Sequence, residues 1–145
     1  MFIANLAEGQ TTVALVKTLS FNAARLKMIA ENVANSETPG YRTQRLDTKA
    51  FQQALREALD RRERHPGSVF KVRSGREVTT DARGNLEVTP SIEPAENILF
   101  HDGTNMSIER QMSDLAETSM THDLATTLLR GEYEALRKAI RGRVS

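Results

Sequence analysis

The chemistry open to this 145-residue chain rests on three histidines, its carboxylates and its basic side chains, because it contains no cysteine. Thiolate metal sites, cysteine nucleophiles and disulfides fall away together. His65, His101 and His122 are scattered, with no H-E-x-x-H or other ligand spacing, so each reads as a turn, loop or helix-seam residue. Glu93, Glu96 and Asp102 would have to assemble a carboxylate site from a proline-containing loop, where a solvated acidic stretch is the simpler reading. No Gly-rich phosphate loop or nucleophile elbow is present. The expectation is a non-enzyme with no catalytic residue, no cofactor and no metal.

Arg56, Arg61, Arg62 and Arg64 form a basic cluster, but Glu57, Asp60 and Glu63 are interleaved with them, which describes a solvated helix face rather than a phosphate-binding surface. Arg137, Lys138, Arg141 and Arg143 make a cleaner basic end, and the negative C-terminal pole of a helix accounts for them without a partner. Twenty basic residues face nineteen acidic ones, so a net charge of +1 offers no global attraction for nucleic acid or an anionic membrane. No run approaches the roughly 20 apolar residues of a membrane span. Met1 to Gln10 carries Glu8 where a secretory signal wants a basic start and an apolar centre, so export without a cleaved signal is expected if the protein leaves the cytoplasm.

The elements that position these residues are mainly helical. Val16, Leu19, Ala23, Leu26, Ala30 and Val33 alternate three and four residues apart, which predicts a helix with a narrow apolar seam, extended toward the N-terminus by Leu6 and Val13. Arg25, Lys27 and Glu31 fall off that seam and are expected in solvent. The helix should end between Glu31 and Tyr41, where Pro39 and Gly40 suit the central positions of a type II turn with positive φ at Gly40. Asn32 and Asn35 are residues able to cap carbonyls or to tolerate a left-handed conformation. A second helix is predicted from Asp47 to Arg64 through Phe51, Leu55 and Leu59, ended by His65, Pro66 and Gly67. Short strands follow at Val69 to Val72, Glu77 to Thr80 and Leu86 to Thr89, the last two paired through a turn containing Gly84 and Asn85. Pro90 and Pro94 then mark a loop-rich stretch up to Asn105.

The strongest periodicity comes last. Ile108, Met112, Leu115, Ser119, His122, Thr126, Leu129, Tyr133, Leu136 and Ile140 keep a four-three alternation that predicts a helix about 50 Å long. Asn105 or Ser107 can cap its start, and Glu109 suits its positive N-terminal end. Two narrow seams at period 3.5 predict a mainly α protein whose long N- and C-terminal helices pair as a coiled coil, with a protruding, loop-rich middle containing short β-strands. Ser119, His122 and Thr126 would weaken that pairing or set its register. Three parts are expected: residues 1–46, the N-terminal helix and its turn; 47–105, the middle segment; and 106–145, the C-terminal heptad helix. With little globular core, both end helices are expected to become helical only on assembly.

Asn32, Asn35, Thr38, Pro39, Gly40 and Tyr41, within the run from Asn32 to Tyr41 that follows an N-terminal amphipathic helix, resemble the N-terminal signature of the bacterial flagellar axial proteins, which include rod, hook and hook-associated proteins. Short length, Arg45, Leu46, Asp47 and Phe51 after the motif, and Asp102 to Asn105 leading into Ile108 to Met112, resemble the proximal rod members in particular. The resemblance implies a structural subunit of the basal-body rod in the periplasm, exported through the flagellar type III apparatus, with copies of itself, FlgC, the adaptor FliE and further rod subunits as partners. In agreement with it, the narrow seams predict an assembly interface on Val16, Leu19, Ala23, Leu26, Ala30, Val33, Met112, Leu115, Leu129, Tyr133, Leu136 and Ile140. The alternatives are another rod subunit similar to FlgC, a free-standing coiled-coil regulator or chaperone, and a nucleic-acid-binding helical protein.

Overall fold

The computed structural model describes residues 2–65, 67–93 and 108–142, with only the backbone described for 2–8 and 10. Among these residues the elements are α1 (Phe2–Ala34), β1 (Gln44–Arg45), α2 (Thr48–Arg64), β2 (Val78–Thr80), β3 (Leu86–Val88), β4 (Ser91–Ile92) and α3 (Ile108–Ile140). The Leu6 side chain, Pro66, Pro94, Glu96, His101, Asp102, the expected cap at Asn105 or Ser107, and Arg143 lie outside the described residues.

Local chemistry explains the element ends. Asp47 is the N-cap of α2, its carboxylate accepting the Ala50 N–H at 2.9 Å, and His65 closes the helix by donating its N–H to the Arg61 carbonyl at 3.0 Å. After α1, the Tyr41 N–H donates to the Thr38 carbonyl at 3.1 Å with Gly40 at φ 76°, the hydrogen bond and positive φ of a type II turn. Asn35 caps the helix end, its carboxamide donating to the Glu31 carbonyl at 2.8 Å, without taking a left-handed conformation.

Strands β2 and β3 form the expected antiparallel hairpin, with Val78 opposite Val88 and Thr80 opposite Leu86, around a turn with Gly84 at φ 83°. Strand β1 pairs antiparallel with β4, Gln44 opposite Ile92 and Arg45 opposite Ser91, a pairing with no sequence signal in two-residue strands. The strand expected at Val69 to Val72 is irregular chain, although Phe70 and Val72 are buried. They read as a strand because they alternate inward like one, but the bond described from this stretch to β2 is a side-chain one, the Thr80 hydroxyl donating to the Val72 carbonyl at 3.4 Å.

The middle does not simply protrude. Ala14, Phe21, Met28 and Ile29 of α1 share a core with Leu46, Phe51 and Ala58, and with Phe70, Val72 and Val78. Phe21 and Phe51 stack in parallel with ring centroids 4.1 Å apart. Lys17, buried beside them, donates its ammonium to the Gly84 carbonyl and ties the hairpin to α1. The other flank of α1 packs along α3.

Candidate assembly interface

Three α1 side chains define how α1 and α3 meet. Asn22 donates to the Thr121 hydroxyl at 3.3 Å, Arg25 meets Asp114 at 2.9 Å and Glu117 at 3.5 Å, and Asn32 donates to the Gln111 side-chain oxygen at 3.1 Å. Rising numbers on α1 meet falling numbers on α3, so the helices run antiparallel. Thr118 and Ala125 are buried on the same face of α3.

The two long helices pair as expected, but the bonds between them are made one residue round from the apolar seams. The residues on α1 that bond to α3 are Asn22, Arg25 and Asn32, each one position before the expected Ala23, Leu26 and Val33. On α3 the matching residues, bonded or buried, are Gln111, Asp114, Thr118, Thr121 and Ala125, each one position before Met112, Leu115, Ser119, His122 and Thr126. One residue turns a helix by about 100°, so the whole seam changes face. The polar series has the same three-four alternation as the apolar one, and that spacing was the available signal. Its polarity hid it, because Asn, Arg and Gln enter an interior only when their hydrogen bonds are met. Arg25 is accordingly buried and paired rather than solvated, whereas Lys27 and Glu31 do form an exposed pair at 3.8 Å.

Asn32 is fully buried, and all four of its side-chain hydrogen-bonding positions are used. Its amide group donates to the Gln44 carbonyl at 2.8 Å and to Gln111, and its oxygen accepts the Tyr41 hydroxyl and the Gln44 N–H, both at 3.0 Å. One side chain therefore joins α1, the turn, β1 and α3, a larger task than capping a carbonyl. Burial, and secondarily the Glu31 carboxylate, push the Tyr41 phenol above its ordinary pKa. Asn35, Thr38, Pro39 and Gly40 stay at the surface.

The expected interface residues are left mostly outward. On α1, Val16 is 40% exposed, Ala23 and Ala30 are exposed, and Leu19 and Leu26 are half-buried. Only Val33 of that series packs against the core. On α3, Leu115 packs against the core and Leu129 is half-buried. Met112, Tyr133 and Leu136 are exposed, and Ile140 reaches 76%. Met120, Leu124 and Leu128 add a second exposed apolar row that the sequence reading missed, although spacing of four residues places them on one face. Among the described residues no cluster of His and acidic side chains is placed to hold a metal, and no helix is long and apolar enough to cross a membrane.

Residues 14–42, which hold the inner half of α1, Asn32 and the turn to Tyr41, match the family model described as flagella basal body rod protein. The chain is similar to the flagellar basal body rod protein FlgB of Salmonella typhimurium, 23% identical over 133 residues, covering 87% of this chain and 89% of that protein. The FlgB of Aeromonas hydrophila is 23% identical over 126 residues, covering 86% and 87%. That of Yersinia ruckeri is 22% identical over 127 residues, covering 83% and 85%. These matches make the chain similar to flagellar basal-body rod proteins, over residues 14–42 for the family model and over most of its length for the relatives. Within that family, FlgB is the kind of rod protein it resembles over most of its length.

Proposed function

We propose that this chain is a structural subunit of the proximal rod of the flagellar basal body, joined to its neighbours by helix packing and carrying torque through those contacts. The observation that carries the reading is the apolar row Val16, Leu19, Ala23, Leu26 and Ala30 on the side of α1 turned away from its own core. A helix that is apolar on two opposite faces is suited to being enclosed on both, and among the described residues the second face is only partly covered, with Val16, Ala23 and Ala30 exposed. Met112, Leu129, Tyr133, Leu136 and Ile140 supply the matching surface on α3. The partners are copies of the same chain, FlgC, FliE and further rod subunits. Delivery is through the flagellar type III apparatus to the periplasmic rod, without a cleaved signal. In this role the chain performs no catalysis. Residues 1–46 and 106–145 form the assembly part, and 47–105 the middle segment, whose described residues pack on α1.

Leu26→Asp separates assembly from folding, because Leu26 lies on the apolar row outside the core and is only half-buried. Its unfolding free energy should fall by no more than about 1 kcal/mol, while cells carrying it should fail to swim and to assemble hook. Phe21→Asp, in the core, should lose both folding and swimming. Normal swimming with Leu26→Asp and with Leu129→Asp would overturn the reading.

A further inference from the structure

The middle of the chain holds a pocket that helix pairing leaves unused. It measures ≈ 190 Å³ and opens to solvent between the start of α2 and the turn before β2. Ala50 and Ala54, with the edges of the buried Phe51 and Val78, form an apolar wall, and Arg45, Arg73 and Arg76 stand among the other lining residues. These arginines are exposed, and among the described residues none of the three makes an ion pair or a side-chain hydrogen bond.

The two carboxylates beside them have other tasks. Asp47 caps α2, and Glu77 accepts the Asp47 N–H at 2.6 Å and the Ser91 hydroxyl. Glu77 thereby fastens the start of α2 and the start of β4 to the turn that carries Arg73 and Arg76, and the Gly75 N–H closes that turn on the Val78 carbonyl at 2.8 Å. The pocket is thus held open by its own hydrogen bonds. Three guanidinium groups against two carboxylates leave a local charge of +1.

We propose that this pocket binds an acidic side chain flanked by apolar residues on a protein partner. Guanidinium forks match a carboxylate in two-point geometry, and the Phe51, Ala54 and Val78 wall takes up the apolar flank. Size decides between a peptide and a cofactor. The volume is near the ~150 Å³ that accepts a benzene-sized guest and below the roughly 300–1,000 Å³ of small-molecule sites, so one or two side chains fill it. Free phosphate would use the arginines but leave the apolar wall wet, and its second charge would meet Asp47 and Glu77. The site lies away from the α1–α3 seam, and the inference does not depend on the rod assignment.

The test is an NMR titration of the full chain with three probes: a blocked leucine–glutamate–leucine tripeptide, its glutamine counterpart and inorganic phosphate. The glutamate peptide should shift the amides of Arg45, Ala50 and Gly75 to Val78 saturably, at least about fivefold more tightly than the glutamine peptide, a difference of about 1 kcal/mol. Arg73→Gln and Arg76→Gln should each weaken it several-fold while leaving the amides of the Thr79 and Glu87 pair unchanged. Equal binding of both peptides would reduce the site to an apolar patch, and phosphate binding as tight as the peptide would make it a simple anion site. Either result, or no saturable shift, overturns the proposal.

Discussion

The Asn32 carboxamide meets the Gln111 side-chain oxygen at 3.1 Å, across 79 residues of sequence and between the two long helices. Because the same carboxamide also holds Gln44 and accepts the Tyr41 hydroxyl, the helix pair and the turn are fixed by one group.

Replacing Asn32 by Ala should therefore cost more than a lost cap. Gln44, Tyr41 and Gln111 would each keep a polar group without its partner, at about 1–3 kcal/mol per buried group. A loss of about 3 kcal/mol in urea unfolding is expected. Asn35→Ala, whose side chain makes two exposed bonds, to the Glu31 carbonyl and from the Thr38 hydroxyl, should cost under about 1 kcal/mol. Equal costs for the two would show that the Asn32 network is not formed in solution.

Gly40 tests the turn through its backbone alone. A Cβ there would meet nothing within 4 Å, so any penalty comes from φ 76° and not from a clash. Gly40→Val should cost roughly 1–3 kcal/mol and impair swimming and hook assembly, while Gly40→Asn should be milder because Asn tolerates the left-handed region. Ser36→Ala should be mild as well. Measured unfolding midpoints for the three variants decide whether the order is Val, Asn, Ala from worst to best.

Arg25 is buried between Asp114 and Glu117. Arg25→Leu would leave Asp114 facing an apolar neighbour and should destabilise the helix pair by about 2 kcal/mol, reduced from the fully buried case because both carboxylates reach water. Adding Asp114→Leu to Arg25→Leu should recover part of that loss. A double-mutant cycle showing no coupling between the two positions would exclude the pairing.

Amide exchange should be graded along the chain. Phe21 to Asn32 has the core on one flank and α3 on the other, so slow exchange is expected there and around Gln111 to Thr118. From Tyr133 to Ile140 the exposed side chains offer the helix little support within one subunit, and exchange should be fast until assembly. Uniformly fast exchange through α1 in the purified chain would mean that its core also waits for partners.

Two titrations bound the pH range. The Asp81 carboxyl is held below its ordinary 3.8 by the backbone and side chain of Asn85 and, further down, by the Arg83 N–H and Lys17. Its contribution to the hairpin is present above pH 3.8 and is lost as pH falls through the lower folded value. The Tyr41 phenol lies above its ordinary 10.0, so its contribution is complete below pH 10 and is lost as pH rises through the folded value. Cross-strand NMR contacts between Val78 and Val88 should therefore weaken in acid, and the Asn32 network in base. Asp81→Ala should remove Asp81's share of the acid dependence and Tyr41→Phe that of the base dependence.

Much of this arrangement was legible in the sequence because it depends on near neighbours. The extent of α3, the Asp47 start of α2, the hairpin around Gly84 and the Pro39–Gly40 turn follow from spacing, capping and the conformations open to Gly and Pro. The face on which the long helices meet was not legible. Period 3.5 fixes the pitch of a seam but not its phase, and in both helices an apolar series and a polar one run side by side, one residue apart. Tertiary structure chose the polar series for α1 against α3, because Asn32 with Gln111, Arg25 with Asp114 and Asn22 with Thr121 satisfy one another, and that complementarity exists only between residues far apart in the chain. The apolar series, which hydropathy alone assigns to the interior, is left on the outside of the subunit.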